Sequence, residues 1–264
     1  MELVFGALLF IFGVCVGSFL NVVILRFGYR ERGGERSQCM ACGTVLRARD
    51  LVPLFSYLAL RGRCRECGSR LLTQYPLVEL ATGLLFLMSY YMVGYAFSGV
   101  LFVATAGFWV SFLGLVVYDL RHTLVPLPFV YGMYGFAALS FLLTPSMSAL
   151  WGVFVCAGFF ALLTAVTRGK GMGIGDAYVA GALGLFLGVE HGVVASVFAV
   201  WIGALVGIAL MLCARICKHL FGSTYGMRVT LKTEVPFAPF LALGALSVWW
   251  YNLGFASLGL SLPF

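Results

Sequence analysis

Long apolar runs recur along almost the whole chain, near residues 2–25, 74–96, 98–119, 125–143, 147–166, 177–190, 191–214 and 236–258. A backbone inside hydrocarbon has no water to bond, so a run of about 20 apolar residues is confined to a helix that crosses the bilayer. Of the 264 residues, 62% are hydrophobic and only 10% are charged, against about 25% charged in soluble domains. The expected fold class is therefore all-α, a polytopic membrane protein with about eight transmembrane helices. The 177–190 run is short for a crossing, and 147–166 carries Thr164 near its end. No basic residue precedes the first run, which is longer than a secretory h-region, so it is expected to stay as a span.

Charge orients these spans. Ten of the seventeen Lys and Arg lie between Arg26 and Arg70, and the others are Arg121, Arg168, Lys170, Arg215, Lys218, Arg228 and Lys232. With eight spans and an outer N-terminus, every one falls in a cytoplasmic segment and both tails are periplasmic. The net charge of +7 then reflects topology and contact with anionic lipid, and gives no reason to expect a nucleic-acid partner.

Cys15, Cys156, Cys213 and Cys217 lie in or just past apolar runs, where cysteine packs as a small hydrophobe. The other four form CMACG, from Cys39 to Gly43, and CRECG, from Cys64 to Gly68. Two such knuckles are the pattern of a zinc ribbon: each turn offers two thiolates to one tetrahedron, and the Gly lets the backbone turn beneath the metal. The 21 residues between the knuckles slightly exceed the usual spacing of about 15–20. A reducing cytoplasm disfavours the alternative of disulfides. Four sulfurs leave no open position, so the Zn2+ expected on Cys39, Cys42, Cys64 and Cys67 is structural. Redox or metal-free thiols are the other reading. The intervening DLVPLFSYLALRGR reads as a short amphipathic segment on the membrane surface. The domain plan is a first helix at 1–26, a cysteine domain at 27–73 and a seven-helix domain at 74–264.

The chain has three aspartates. Asp50 is in the cysteine loop. Asp119, in VVYDLRHTLVP, closes the third apolar run, and Asp176, in GMGIGDAYVA, opens the sixth. The charge-derived topology puts both at one depth on the cytoplasmic side. Either alone reads as a helix cap or an interface residue. A pair at membrane depth is a functional candidate: two neighbouring carboxyls share a proton, so one withdraws a proton from water while the other polarises a carbonyl. Gly173 and Gly175 would let a substrate strand or a neighbouring backbone come close to Asp176.

In these motifs the chain resembles the type IV prepilin peptidase family, the prepilin leader peptidase/N-methyltransferases. The resemblance lies in GSFLNVVILR (17–26), the paired Cys-x-x-Cys loop followed by QYPLVE (74–79), DLRHTLVP (119–126), GIGD (173–176) and VPFAPFLALG (235–244). It implies an inner-membrane aspartic endopeptidase with Asp119 and Asp176 as its catalytic pair. Such an enzyme removes the basic leader of prepilins or pseudopilins after a Gly, at the cytoplasmic face, for a type IV pilus or type II secretion system. It further implies methylation of the new N-terminal residue with S-adenosylmethionine. Two positions depart from the family pattern: Tyr178 stands where Lys is usual, and Leu127 where Asp or Asn is common.

Glu79, inside the start of the second span, is a candidate for the methyl-transfer site or the substrate amine, or a structural partner for a loop arginine. His122 is a candidate modulator of Asp119, or a plain interface residue. Asn21 reads as an interhelical hydrogen-bonding residue. Three rival functions remain: a Gly-x-Gly-Asp protease of the presenilin kind, a proton-coupled transporter that uses the paired aspartates with the cysteine loop as a regulatory module, and a purely zinc-dependent scaffold indifferent to both aspartates.

Overall fold

The computed structural model of the chain describes residues 2–27, 37–93, 98–169, 172–221 and 236–252, with the side chains of 214 and 216–221 excepted. Cys217 therefore lies outside the described side chains, while Cys213 is exposed. The described residues form eight α-helices: α1 (Glu2–Arg26), α2 (Phe55–Ala59), α3 (Gln74–Val93), α4 (Gly99–His122), α5 (Leu127–Leu143), α6 (Met147–Val166), α7 (Ile174–Phe221) and α8 (Ala238–Tyr251). A 3-10 turn covers Ala48–Leu51. The fold is all-α, and this is a multi-pass membrane protein.

Among the described residues, five helices are long and apolar enough to cross a membrane: α1, α3, α4, α6 and the Ile174–Cys213 part of α7. Two more, α5 and α8, are apolar but shorter. The long α7 is not one rod. Gly188, at φ 82° and ψ 175°, breaks its helical backbone, a conformation open to glycine and strained for other residues. The amide of Val189 just beyond the break is taken up by the Ser148 hydroxyl at 3.1 Å. The turn expected at 190–191, between the sixth and seventh apolar runs, thus comes at Gly188.

The chain divides into two compact units, Met1–Gly114 and Leu115–Phe264. In the first, α1 packs along α3, and Phe86, Phe102 and Ala106 form a buried cluster with Leu9, Val16 and Tyr90 against it. In the second, α5, α6 and α8 each pack on α7. Lipid supplies no hydrophobic drive between helices, so small residues let the backbones approach and gain dispersion contact. At the α6–α7 crossing this is literal: a Cβ on Gly152 would strike the Gly184 carbonyl, and one on Gly184 would strike the Gly152 carbonyl. Several hydroxyls inside the spans bond back to their own helix, as with Thr82 to the Val78 carbonyl and Ser196 to the Gly192 carbonyl, which satisfies them without water.

Candidate active site and cysteine cluster

The cysteine loop folds as two copies of one turn. In the first, the Cys39 amide donates to the Thr44 carbonyl at 2.9 Å and the Gly43 amide to the Cys39 carbonyl at 2.8 Å. In the second, the Cys64 amide donates to the Ser69 carbonyl at 2.8 Å and the Gly68 amide to the Cys64 carbonyl at 3.0 Å. Each turn is closed by a single antiparallel bridge, Gln38 with Val45 and Arg63 with Arg70. Gly43 and Gly68 have φ values of 72° and 69°, and a Cβ at either would meet nothing within 4 Å. Glycine is needed there for its left-handed backbone, not for space.

The two turns bring all four sulfurs within 4.8 Å of one another, with Cys39 and Cys64 buried and Cys42 and Cys67 exposed. With Zn–S bonds of about 2.3 Å, the edge of a tetrahedral site is about 3.8 Å. The Cys39 and Cys67 sulfurs are 3.9 Å apart. The donor set therefore fits a closed tetrahedral ion such as zinc. The surroundings favour thiolates at two corners. The backbone amides of Cys42 and Ala41 pull Cys39 down to about 6, and the Ser69 hydroxyl and amide lower Cys67. An exposed Arg65 guanidinium holds the loop's Asp50 at 2.7 Å, which lowers that carboxyl.

Glu79 is buried in the second turn of α3. Its carboxylate Oε2 accepts the backbone N–H of Leu54 at 2.7 Å. Leu54 holds a positive φ of 58°, and the charged hydrogen bond offsets part of that strain. The partner is thus a backbone amide rather than a loop arginine. Asn21 joins helices as its type suggests: its side-chain amide donates to the Tyr75 carbonyl at 3.2 Å and its Oδ1 accepts from Gln74 at 3.1 Å.

The aspartates are assembled within the second unit. Asp119 ends α4, after which Thr123 turns left-handed at φ 51° and the chain reaches Pro126, the cap of α5. Asp176 is the third residue of α7, with its amide donating to the Gly173 carbonyl at 3.2 Å. Both side chains are buried, at 4% and 7% exposure. They lie within electrostatic reach of each other. A Cβ on Gly175 would come to 2.8 Å from the Val125 side chain, so this glycine lets the start of α7 close on the α4–α5 connection. Gly173 is different: only a backbone atom 3.9 Å away faces its missing Cβ, and it is exposed.

One partner had no counterpart in the sequence reading of roles. The amide of Ala238, the first residue of α8, donates to Asp119 Oδ2 at 3.2 Å. The first amides of a helix have no partner within it, and its N-terminus favours a carboxylate. The Ala238-Pro239 pair within VPFAPFLALG is a helix-start signal, but nothing local ties it to Asp119. His122 stands apart: it is exposed, and its ring packs on Tyr118 with centroids 4.4 Å apart. Tyr178, one turn from Gly175, is exposed beside the buried Asp176.

Residues 11–93 match the bacterial peptidase A24 N-terminal domain, and residues 107–208 match the type IV leader peptidase family. A prepilin leader peptidase/N-methyltransferase of Bacillus subtilis is 32% identical over 251 residues, 93% of this chain and 94% of the relative. This chain belongs to the type IV leader peptidase family. It is an enzyme of the peptidase class. A Myxococcus xanthus protein of the same name is 38% identical over 216 residues, 79% of this chain but 64% of that longer relative. The type 4 prepilin-like proteins leader peptide-processing enzyme of Escherichia coli is 31% identical, over 89% of this chain and 90% of the relative. No solved structure matches the chain. Each family segment contains one of the two clusters: the cysteines fall in the first, both aspartates in the second.

Proposed function

We propose that Asp119 and Asp176 are the catalytic pair of a leader peptidase that cleaves prepilins or pseudopilins after a Gly, at the cytoplasmic face of a bacterial inner membrane. The observation that carries this reading is two buried carboxyl groups from separate helices placed within electrostatic reach of each other. A helix cap requires one carboxylate, and burying two together is costly, so such a pair at membrane depth is a functional candidate. The ionised member takes a proton from water, and the protonated one polarises the scissile carbonyl, after which the roles reverse. Gly175 sets the spacing of the pair through its contact with Val125. Gly173 and Tyr178 are exposed residues that flank Asp176 in the sequence. His122, exposed and packed on Tyr118, is assigned no part in the chemistry.

The four cysteines hold a structural zinc and take no step in peptide hydrolysis. The names of the relatives support a second activity, methylation of the new N-terminus with S-adenosylmethionine as donor, for which Glu79 acts as a positioning residue through Leu54. The proposed plan is a first helix at 1–26, a cysteine domain at 27–73 and a seven-helix peptidase domain at 74–264. Both termini are periplasmic, and the cysteine loop and aspartates cytoplasmic, as the positions of the basic residues require.

Mass spectrometry of a prepilin incubated with purified protein and S-adenosylmethionine tests the reading, with Asp176→Asn run beside the parent. Loss of the leader after Gly, abolished in the variant, is expected, with one methyl added to the new N-terminus. An uncut prepilin together with proton-coupled uptake in vesicles would favour the transporter reading instead.

A further inference from the structure

The cysteine module carries apolar surface where contact with water would be costly. Phe55 and Leu58 of α2 are 71% and 72% exposed, and Leu51 and Val52 just before them are 43% and 45% exposed. None of the four belongs to a helix long enough to span, so lipid around the spans does not by itself account for them. A cluster of this kind marks a surface that meets something apolar.

The Glu79 hydrogen bond fixes how deep that surface lies. Glu79 is five residues into α3 from Gln74, about 7.5 Å along the helix axis at 1.5 Å per residue. Its carboxylate holds the amide of Leu54 at 2.7 Å, and Leu54 is the residue from which α2 starts. The start of α2 is therefore level with the second turn of a membrane-spanning helix, not raised on a stalk above it. Arg49, Arg61 and Arg63 flank α2, are exposed, and form no salt bridge among the described residues. Apolar side chains at this depth, with free arginines beside them, have the composition of an element seated in an anionic interface.

We propose that Leu51, Val52, Phe55 and Leu58 insert into the headgroup–acyl boundary of the bilayer, so that the cysteine module is embedded in the membrane surface, with Glu79 as its depth stop. The occupant of this surface is phospholipid. Insertion at that level gives the four side chains an apolar medium while the arginines meet lipid phosphates. The assignment stands whether or not the aspartates are catalytic.

The test uses the unmodified full-length chain in vesicles of phosphatidylglycerol and phosphatidylethanolamine that contain a phospholipid with a diazirine near the carbonyl end of one acyl chain. After illumination, peptide mapping is expected to find lipid on residues 51–58 at a level comparable to the first turns of α3. Phe55→Glu combined with Leu58→Glu is expected to lower that labelling by at least about fivefold. Labelling confined to the spanning helices of the unmodified chain would overturn the proposal. A second arm, with p-benzoylphenylalanine replacing Phe55, identifies what lies against the surface: phospholipid adducts support the proposal, while adducts to a second copy of the chain or to a prepilin overturn it.

Discussion

The four cysteines and the two aspartates are both small clusters of ionisable groups, yet they are put together in opposite ways. Each half of the cysteine site is made by one five-residue turn, and the two turns share the same hydrogen bonds and the same left-handed glycine. The aspartate site draws on the end of α4, the start of α7 and the start of α8. The first is a local design, two turns whose four sulfurs could share one ion. The second exists only while helices pack correctly, and so should fail in a different way when its surroundings are disturbed.

That contrast can be broken most sharply at the aspartates themselves. Asp119→Asn is expected to lower prepilin cleavage by about 10²–10⁴-fold, the usual worth of a positioned acid or base, while metal content measured by mass spectrometry stays unchanged. Normal cleavage by the variant would remove Asp119 from the chemistry. The converse experiment is Cys39→Ser, expected to abolish stoichiometric metal binding, since a structural site depends on all four ligands, and to leave the aspartate site with measurable activity. A complete loss of both would mean the two regions are not separable.

A smaller effect distinguishes the two glycines. Gly175→Val drives a side chain into Val125 and should displace α7 from the α4–α5 connection, costing up to about 10²-fold in cleavage for a shift near 1 Å. Gly173→Ala meets open space and should leave cleavage near the parent rate. Equal losses would contradict the packing role given to Gly175. Smallest of all, Glu79→Leu leaves the Leu54 amide without its acceptor, at about 1–3 kcal/mol, which should appear as faster hydrogen exchange at Leu54–Ala59 with α3 unaffected.

Much of this was legible before any coordinates. The knuckles were, because a Cys-x-x-Cys-Gly turn is decided by neighbouring residues alone and its spacing states its geometry. The apolar helices were, because hydrocarbon leaves the backbone no alternative to a helix. The pairing of Asp119 with Asp176 was approached through charge, which set both on one side of the membrane without saying that they meet. Other features depend on residues far apart in the chain. Ala238 reaches Asp119 across 119 positions, and a hydrophobic pattern carries no record of that. The sequence leaves Glu79 open between a methyl-transfer or substrate-amine role and a loop-arginine partner, whereas it accepts a strained backbone amide, that of Leu54, a group that every residue but proline has and no sequence motif marks. The break at Gly188 falls two residues before the run boundary at 190–191, because the positive φ there requires glycine.

The central claim is that Asp119 and Asp176 work as a unit, and the most direct measurement is a double-mutant comparison of single-turnover prepilin cleavage by Asp119→Asn, Asp176→Asn and the combined variant. Groups that act together in one step lose nearly everything with the first substitution. The account predicts that the double variant is no slower than either single variant. Losses that multiply, with each single variant keeping part of the rate, would show two independent structural carboxylates and contradict it.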